Sequence, residues 1–451
     1  MAAADRPNVI VFFTDQQRWD TTALGGNPLD LTPNLDRVAV QGTHLANCCT
    51  PQPVCGPARS CLQTGQYATT TGVFHNGLPL RPDAVTLAHC FRAGGYHTAY
   101  IGKWHLGGTG EAGPVPEERR GGYEYWLAAN SLEWTSESYH TTVYDNGGQP
   151  VELPGYRADA LTDAAIRYVA GHGDQPFFLF LSFLEPHQQN HQDDFPAPEG
   201  YRGRFAERWI PPDLAALGGS THQHLGGYYG MVRRLDEAYG RLLDALRSLD
   251  LRRNTIVLFT SDHGCHFKTR NSEYKRSCHE SSIHVPGVLT GPGFFGGGQV
   301  PQLVSLIDLP PTLLEACGLP VPASMQGRSL LPLLRGQRDG WPDDLLVQIS
   351  ESQVGRALRT GRWKYAVEAD VNAREHMGAD LYRETHLYDL EVDPYELTDL
   401  VGLASHRGVA DILRERLIRR MVAAGEAEPR IEAAQARSGG RRRVSPEEAR
   451  A

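Results

Sequence analysis

The sequence has no long apolar run. Segments such as 9–13 and 177–183 are strongly hydrophobic but fall far short of the roughly 20 residues that cross a bilayer. It has no excess of basic charge: 44 Lys and Arg against 53 Asp and Glu give a formal net charge of −9. A chain of that sign repels phosphate, which argues against bulk nucleic-acid binding. Cysteine is scarce, with eight in 451 residues. That density excludes a disulfide scaffold. Cys48, Cys49, Cys55 and Cys61 crowd into one short stretch, but their spacing fits no zinc ribbon. No internal repeat is present. Residues 1–7 are too few and too polar for a secretory leader, so the expectation is a cytoplasmic protein with no membrane partner.

What the chain does have is glycine and proline, 48 and 30 residues, with 40% hydrophobic and 22% charged residues. This is the composition of a loop-rich globular protein and excludes disorder of the whole chain. Four apolar, β-prone runs at 8–13, 97–101, 177–183 and 255–260 read as strands buried on both faces of a parallel sheet. Each is followed by polar or ionisable residues: Asp15 and Gln16, Lys103 and His105, Glu185 and His187, Asp262 and His263. In open α/β sheets, ligands bind beyond the carboxyl ends of the strands. Between the runs, Met231, Val232, Leu235, Leu242, Leu243 and Leu246 follow helical spacing within 228–249, and 159–170 is a weaker helical stretch. Strands alternating with helices predict a layered α/β domain.

The pattern changes after about residue 340. Short strands of mixed polarity at 345–349, 356–360, 363–367 and 386–390, then an amphipathic helix at 407–423, predict a small α+β subdomain. The expected division is a catalytic α/β domain over 5–340, an antiparallel-sheet subdomain over 341–430 and a disordered tail over 431–451. The basic run Arg441-Arg442-Arg443 in that tail reads as solvated charge.

The most specific segment is Cys55-Gly56-Pro57-Ala58-Arg59-Ser60-Cys61-Leu62-Gln63-Thr64-Gly65. It resembles the signature of the sulfatase family, C-x-P-x-R followed by T-G, and it stands after a strand ending at Asp15, as in that family. The resemblance implies that Cys55 is oxidised after translation to formylglycine, whose hydrate attacks sulfur, and that Arg59 holds the hydrate. A geminal diol suits this task. One hydroxyl attacks, and deprotonation of the other expels sulfate, so a hard step is divided in two.

Gly102-Lys103-Trp104-His105-Leu106-Gly107 is similar to a second sulfatase motif. It implies that Lys103 bridges nucleophile and sulfate and that His105 is the base for collapse of the hydrate, a proton transfer suited to imidazole. Asp15-Gln16 and Asp262-His263 stand where the family places its metal ligands, as Asp-Asp and then Asp-Asn or Asp-His. With Cys55 they form the expected metal site. Carboxylates favour calcium; Gln16 and the imidazole of His263 admit manganese or another transition metal. His187, in Glu185-Pro186-His187, and Lys275, ahead of Glu280 and Val285-Pro286, are the expected sulfate clamp and leaving-group acid. Lys268 is the alternative to Lys275. His75 and Asn76 are expected to reach the substrate, and Trp19 or Trp134 to stack on a ring. His191, His222, His224, His266 and His279 are lesser candidates for lining a cleft. Segments 326–334, 359–365 and 386–396 extend the resemblance over residues 7–402.

The resemblance implies the alkaline-phosphatase-like fold: α/β, a central mostly parallel sheet flanked by helices, with the smaller C-terminal subdomain. It implies a sulfuric ester hydrolase acting on a small sulfated substrate, a sulfated sugar among the options, and a formylglycine-generating enzyme as maturation partner. A phosphonate monoester or phosphodiester hydrolase of the same superfamily stays open, because those enzymes share the Asp-Gln and Asp-His pairs. Lys103 and His105 favour the sulfatase. A third reading is a silent sulfate- or glycan-binding protein in which Cys55 stays a thiol.

Overall fold

A computed structural model describes residues 6–108, 112–296, 298–437 and 444–450. Ten strands form one sheet: β1 Asn8–Thr14, β2 Thr43–Cys49, β3 His97–Lys103, β4 Tyr125–Ala129, β5 His140–Tyr144, β6 Pro150–Pro154, β7 Phe177–Ser182, β8 Thr255–Ser261, β9 Gly287–Thr290 and β10 Gln299–Ser305. Their spatial order is β10-β2-β9-β8-β1-β7-β3-β4-β5-β6. The four runs expected as buried strands are β1, β3, β7 and β8. With β4 they form the parallel centre. The flanks are less regular than the expected mostly parallel sheet. β9 runs antiparallel between β2 and β8, and β5 and β6 form an antiparallel ribbon. Proline explains the margins. Pro150, Pro154 and Pro301 lie in the outermost strands, where a missing N–H costs no ladder bond.

β1 is wholly buried because both its faces are covered. Val9, Val11 and Phe13 pack in a layer with Leu62, Leu87, Phe91 and Leu313. Ile10 and Phe12 face the other layer, with Leu161 and Tyr168 of the helix Arg157–Gly171 and Leu235 and Leu242 of the helix Thr221–Ser248. Period two in the strand thus meets period 3.6 in the helices. One glycine is sterically required in the centre. Gly102 has φ +107°, and a Cβ there would lie 1.8 Å from the Ser182 carbonyl oxygen, so only glycine lets β3 join β7 at this level.

A second sheet follows: β11 Asp344–Ile349, β12 Val354–Thr360, β13 Trp363–Ala369, β14 Leu381–Asp389 and β15 Arg430–Glu432. The helix Arg407–Ala423 packs its Val409, Leu413, Leu417 and Met421 onto it. The expected disordered tail is corrected here. β15 pairs parallel to β14, with Ile431 opposite Tyr382, and Val444 and Ala449 are buried in the same core. Few apolar residues suffice because the edge of β14 offers unpaired backbone groups. The basic run at 441–443 lies outside the described residues.

Phe12 stacks on Phe259 at 5.2 Å and packs against Phe183 and Tyr239. We predict that Phe12→Ala lowers stability by about 3–5 kcal/mol, read as a reduced urea midpoint; an unchanged midpoint would contradict this packing.

Candidate active site

Four neighbouring parallel strands, β8, β1, β7 and β3, deliver Asp262, Asp15, Ser182 and Lys103 to one end of the sheet. Gln16 follows Asp15 in the left-handed region, φ 69°, and its N–H donates to Asp262 Oδ1 at 2.9 Å. This sharp turn stops β1 and ties its end to that of β8. Non-glycine residues in this region are uncommon and gather at functional sites. Opposite the strand ends lies the helix Cys55–Thr64, in which every residue is buried. Cys55 occupies its first position, where unpaired N–H groups favour negative charge.

Cys55 Sγ is the meeting point. Lys275 Nζ lies 2.9 Å from it, His263 Nε2 3.2 Å and Asp15 Oδ1 3.5 Å. Burial alone would push the thiol up, but Lys275, Lys103 and His263 outweigh it and hold Cys55 well below the ordinary thiol range. The other cysteines show the contrast. Burial pushes Cys49, Cys61 and Cys265 each up to about 12.

Arg59, one turn along the helix, reaches back into the strand ends. Its guanidinium donates to Ser182 Oγ at 2.7 Å, the Lys103 carbonyl at 2.8 Å, Asp15 Oδ2 at 2.9 Å and Asp262 Oδ2 at 3.3 Å. Lys103 Nζ pairs with Asp15 Oδ2 at 2.9 Å and Glu133 Oε1 at 3.1 Å. Burial and Cys55 push the Asp15 carboxyl up, yet Lys103, His187 and Arg59 hold it well below the usual range. Asp262 goes the other way. Burial and the nearby Asp15 charge push it up to about 6.

Trp104 is buried among Tyr100, Tyr123 and Trp126. His105 follows at φ 61° and turns towards the cavity; its buried Nδ1 has no partner among the described residues. His187 Nδ1 lies 2.6 Å from the Gln188 carbonyl, so Nδ1 carries the proton and Nε2 accepts from Lys275 Nζ at 2.9 Å. Burial and Lys275 hold the His187 imidazole below its ordinary value, hence neutral.

A cavity of about 330 Å³ opens over Cys55, lined by His105, Glu133, Trp134, His187, Lys275 and Arg374 among others. Asn76 lines it, and its Oδ1 accepts from the Gly56 N–H at 2.8 Å. His75 does not line it; its Nδ1 folds back onto the Asn76 carbonyl at 2.6 Å. Trp19 stacks on His284 at 4.7 Å, away from the cavity, and the five lesser histidines also stay outside its lining. Lys268 is excluded by its own partners, Asp193 at 2.7 Å and the Tyr274 ring. The structure therefore assembles Asp15, Gln16, Cys55, Arg59, Lys103, His105, His187, Asp262, His263 and Lys275 at one end of the sheet.

Glu133, Ser182 and Glu351 were missed. Glu133 follows β4, the next parallel strand, so the strand-end rule reaches it once β4 is recognised. Glu351 Oε1 accepts from the Asn76 N–H at 2.6 Å and comes from the second sheet, with no local motif to mark it.

One ligand atom from each of Asp15, Cys55, Asp262 and His263 lies within 4.8 Å of the others, a spacing that can hold a metal ion. Gln16 Oε1 is buried with no partner among the described residues, while its Nε2 donates to Gln188 Oε1 at 2.7 Å. An unpartnered amide oxygen beside two carboxylates and an imidazole fits a divalent cation.

Comparison with known proteins agrees with this chemistry. The sulfatase family model matches residues 7–319, and the model described as N-sulphoglucosamine sulphohydrolase, C-terminal, matches 272–423. The chain is 30% identical over 441 residues to an ulvan-active sulfatase of Formosa agariphila, covering 93% of this chain and 82% of the relative. It is 24% identical over 478 residues to an N-acetylglucosamine-6-O-sulfatase of Bacteroides thetaiotaomicron, covering 89% and 84%. The solved structure of yidJ from Bacteroides fragilis superposes with a TM-score of 0.82 at 25% identity, covering 94% and 97%. The large mixed sheet, its flanking helices and the separate five-stranded sheet fit the alkaline-phosphatase-like α/β fold. This chain belongs to the sulfatase family and is an enzyme of sulfate ester hydrolysis.

Proposed function

We propose that the enzyme cleaves a sulfate monoester on a small sulfated sugar, with Cys55 acting after oxidation to formylglycine. The observation that carries this reading is the convergence of Lys275, His263 and Asp15 on Cys55 Sγ within 3.5 Å. Asp15, Gln16, Asp262 and His263 would hold a divalent cation, calcium first and manganese or another transition metal second. When bound, that cation supplies Lewis-acid charge for a sulfuryl oxygen.

The chain's own residues do the rest. Lys103 and Lys275 offset charge that builds on the sulfuryl oxygens, in a site where fixed cations act more strongly than in water. Neutral His187 accepts from Lys275, which fixes the ammonium and aims its protons at the ester. Lys275 therefore protonates the departing alkoxide, with His187 as its holder. His105, with Nδ1 unpartnered, takes the proton whose loss releases sulfate. Arg59 orients Asp15 and the strand ends. Cys55 is buried, so a formylglycine-generating enzyme must act on the segment before it folds. A reducing cytoplasm is the proposed location. Sulfated sugar as substrate is supported by the ulvan-active and N-acetylglucosamine-6-O-sulfatase relatives.

Three outcomes are expected. Converted enzyme turns over an aryl sulfate faster than the matching aryl phosphonate and cleaves at least one member of a panel of sulfated mono- and disaccharides; faster phosphonate cleavage would overturn the sulfatase reading. Lys275→Ala lowers kcat by roughly 10²–10³-fold, and a change confined to KM would deny Lys275 its role. Glu133 is pushed up by burial, but Lys103, His105 and His187 bring it down to about 2. Its folded value is depressed, so its contribution is present above 4.5, its ordinary value, and is lost as pH falls towards 2. Glu133→Gln should therefore flatten the fall of the urea midpoint below pH 4.5; an equally steep fall would contradict the Lys103 pairing.

A further inference from the structure

The segment bearing Lys275 continues through Ser277 to Cys278 and His279 and meets the second sheet at His386 of β14. We propose that Cys278, His279 and His386 form a second metal site, distinct from the catalytic centre, that takes a transition cation, zinc above all. One ligand atom from each residue lies within 4.8 Å of the other two. Cys278 and His279 are buried, and His386 is partly so.

Two further observations point to a ligand. His279 Nε2 lies 3.2 Å from the Tyr388 hydroxyl, but its Nδ1 is buried with no partner among the described residues. A buried imidazole nitrogen without a partner is costly and calls for an explanation. His386 Nδ1 is held by Asp399 Oδ2 at 2.8 Å, which leaves Nε2 for a ligand. A carboxylate behind an imidazole is how metal-bound histidines are oriented and made more basic. One thiolate and two imidazoles suit zinc, with a fourth position for water.

The surrounding charge does not forbid a cation. Lys364, whose charge reaches both Cys278 and His279, is paired with Glu280 at 2.5 Å and Glu396 at 2.8 Å. Arg270, also close to His279, donates to the Tyr395 and Glu396 carbonyls. An ion here would pin the segment that presents Lys275 to the C-terminal sheet. The site is independent of Cys55 conversion.

The test uses the full chain with Cys55→Ser, so that no catalytic thiolate can bind metal. Titration with cobalt(II) should produce a sulfur-to-cobalt charge-transfer absorption that saturates as one site and is absent when Cys278→Ser is added. Cobalt in the catalytic site meets only oxygen and nitrogen donors and gives no such band. Asp399→Asn should weaken cobalt binding by about 10–100-fold. The rise in Tm that zinc produces in the Cys55→Ser protein should be smaller when the partly exposed His386→Gln is added, the remainder coming from the catalytic cluster. Absence of the band, or its survival with Cys278→Ser, would overturn the proposal.

Discussion

The site depends on one carboxylate shared among four groups. Asp15 is fully buried; Oδ2 takes Arg59 and Lys103, each at 2.9 Å, while Oδ1 faces Cys55 and His263. A buried carboxylate is unfavourable by itself. Here two cations more than offset that cost, and the carboxylate in turn makes their burial tolerable. Removing one member of such a set leaves the others uncompensated, at a cost of about 3–5 kcal/mol. The arrangement is therefore close to all-or-none. It needs a frame that does not move, and the parallel strands around β1 provide one.

The field created for Asp15 also serves the chemistry. Lys103 and Lys275 hold the Cys55 thiol well below its ordinary range, and the same cations would stabilise an anionic sulfuryl group in the cavity above. The two lysines differ in their partners: Lys275 touches only Cys55 Sγ and the neutral His187 among the hydrogen bonds described, whereas Lys103 is locked between two carboxylates. Lys103 is thus paired with fixed acids, while Lys275 is the lysine that faces the cavity without a carboxylate partner among the described residues. The second sheet is part of this frame. Glu351 holds Asn76, which holds the N-terminus of the helix that begins at Cys55, and Arg374 reaches the cavity wall.

Much of this was legible in the sequence because strand ends are. Four apolar runs, each followed by charged residues, foretold the parallel centre and the placement of Asp15, Lys103, His187 and Asp262. Legibility failed where the signal was not local. β4 is short and ends in two alanines, so its end, and with it Glu133, carries little signal in the sequence. Glu351 reaches the site only through the packing of one sheet against another. His75 sat beside a true cavity residue, but its ring turned back onto the backbone. The described part of the tail reads as disordered in the sequence because its few apolar residues, Ile431, Val444 and Ala449, look too sparse until the free edge of β14 is seen to need covering.

The central claim is that position 55 must be oxidised before the cluster around it can work. The direct measurement is turnover per mole of protein across preparations that differ in the converted fraction of Cys55, each quantified by mass spectrometry of the peptide containing it. The account predicts a straight line through the origin, with Cys55→Ala inactive at every point. Turnover that persists in fully unconverted thiol protein, or that does not scale with conversion, would contradict it.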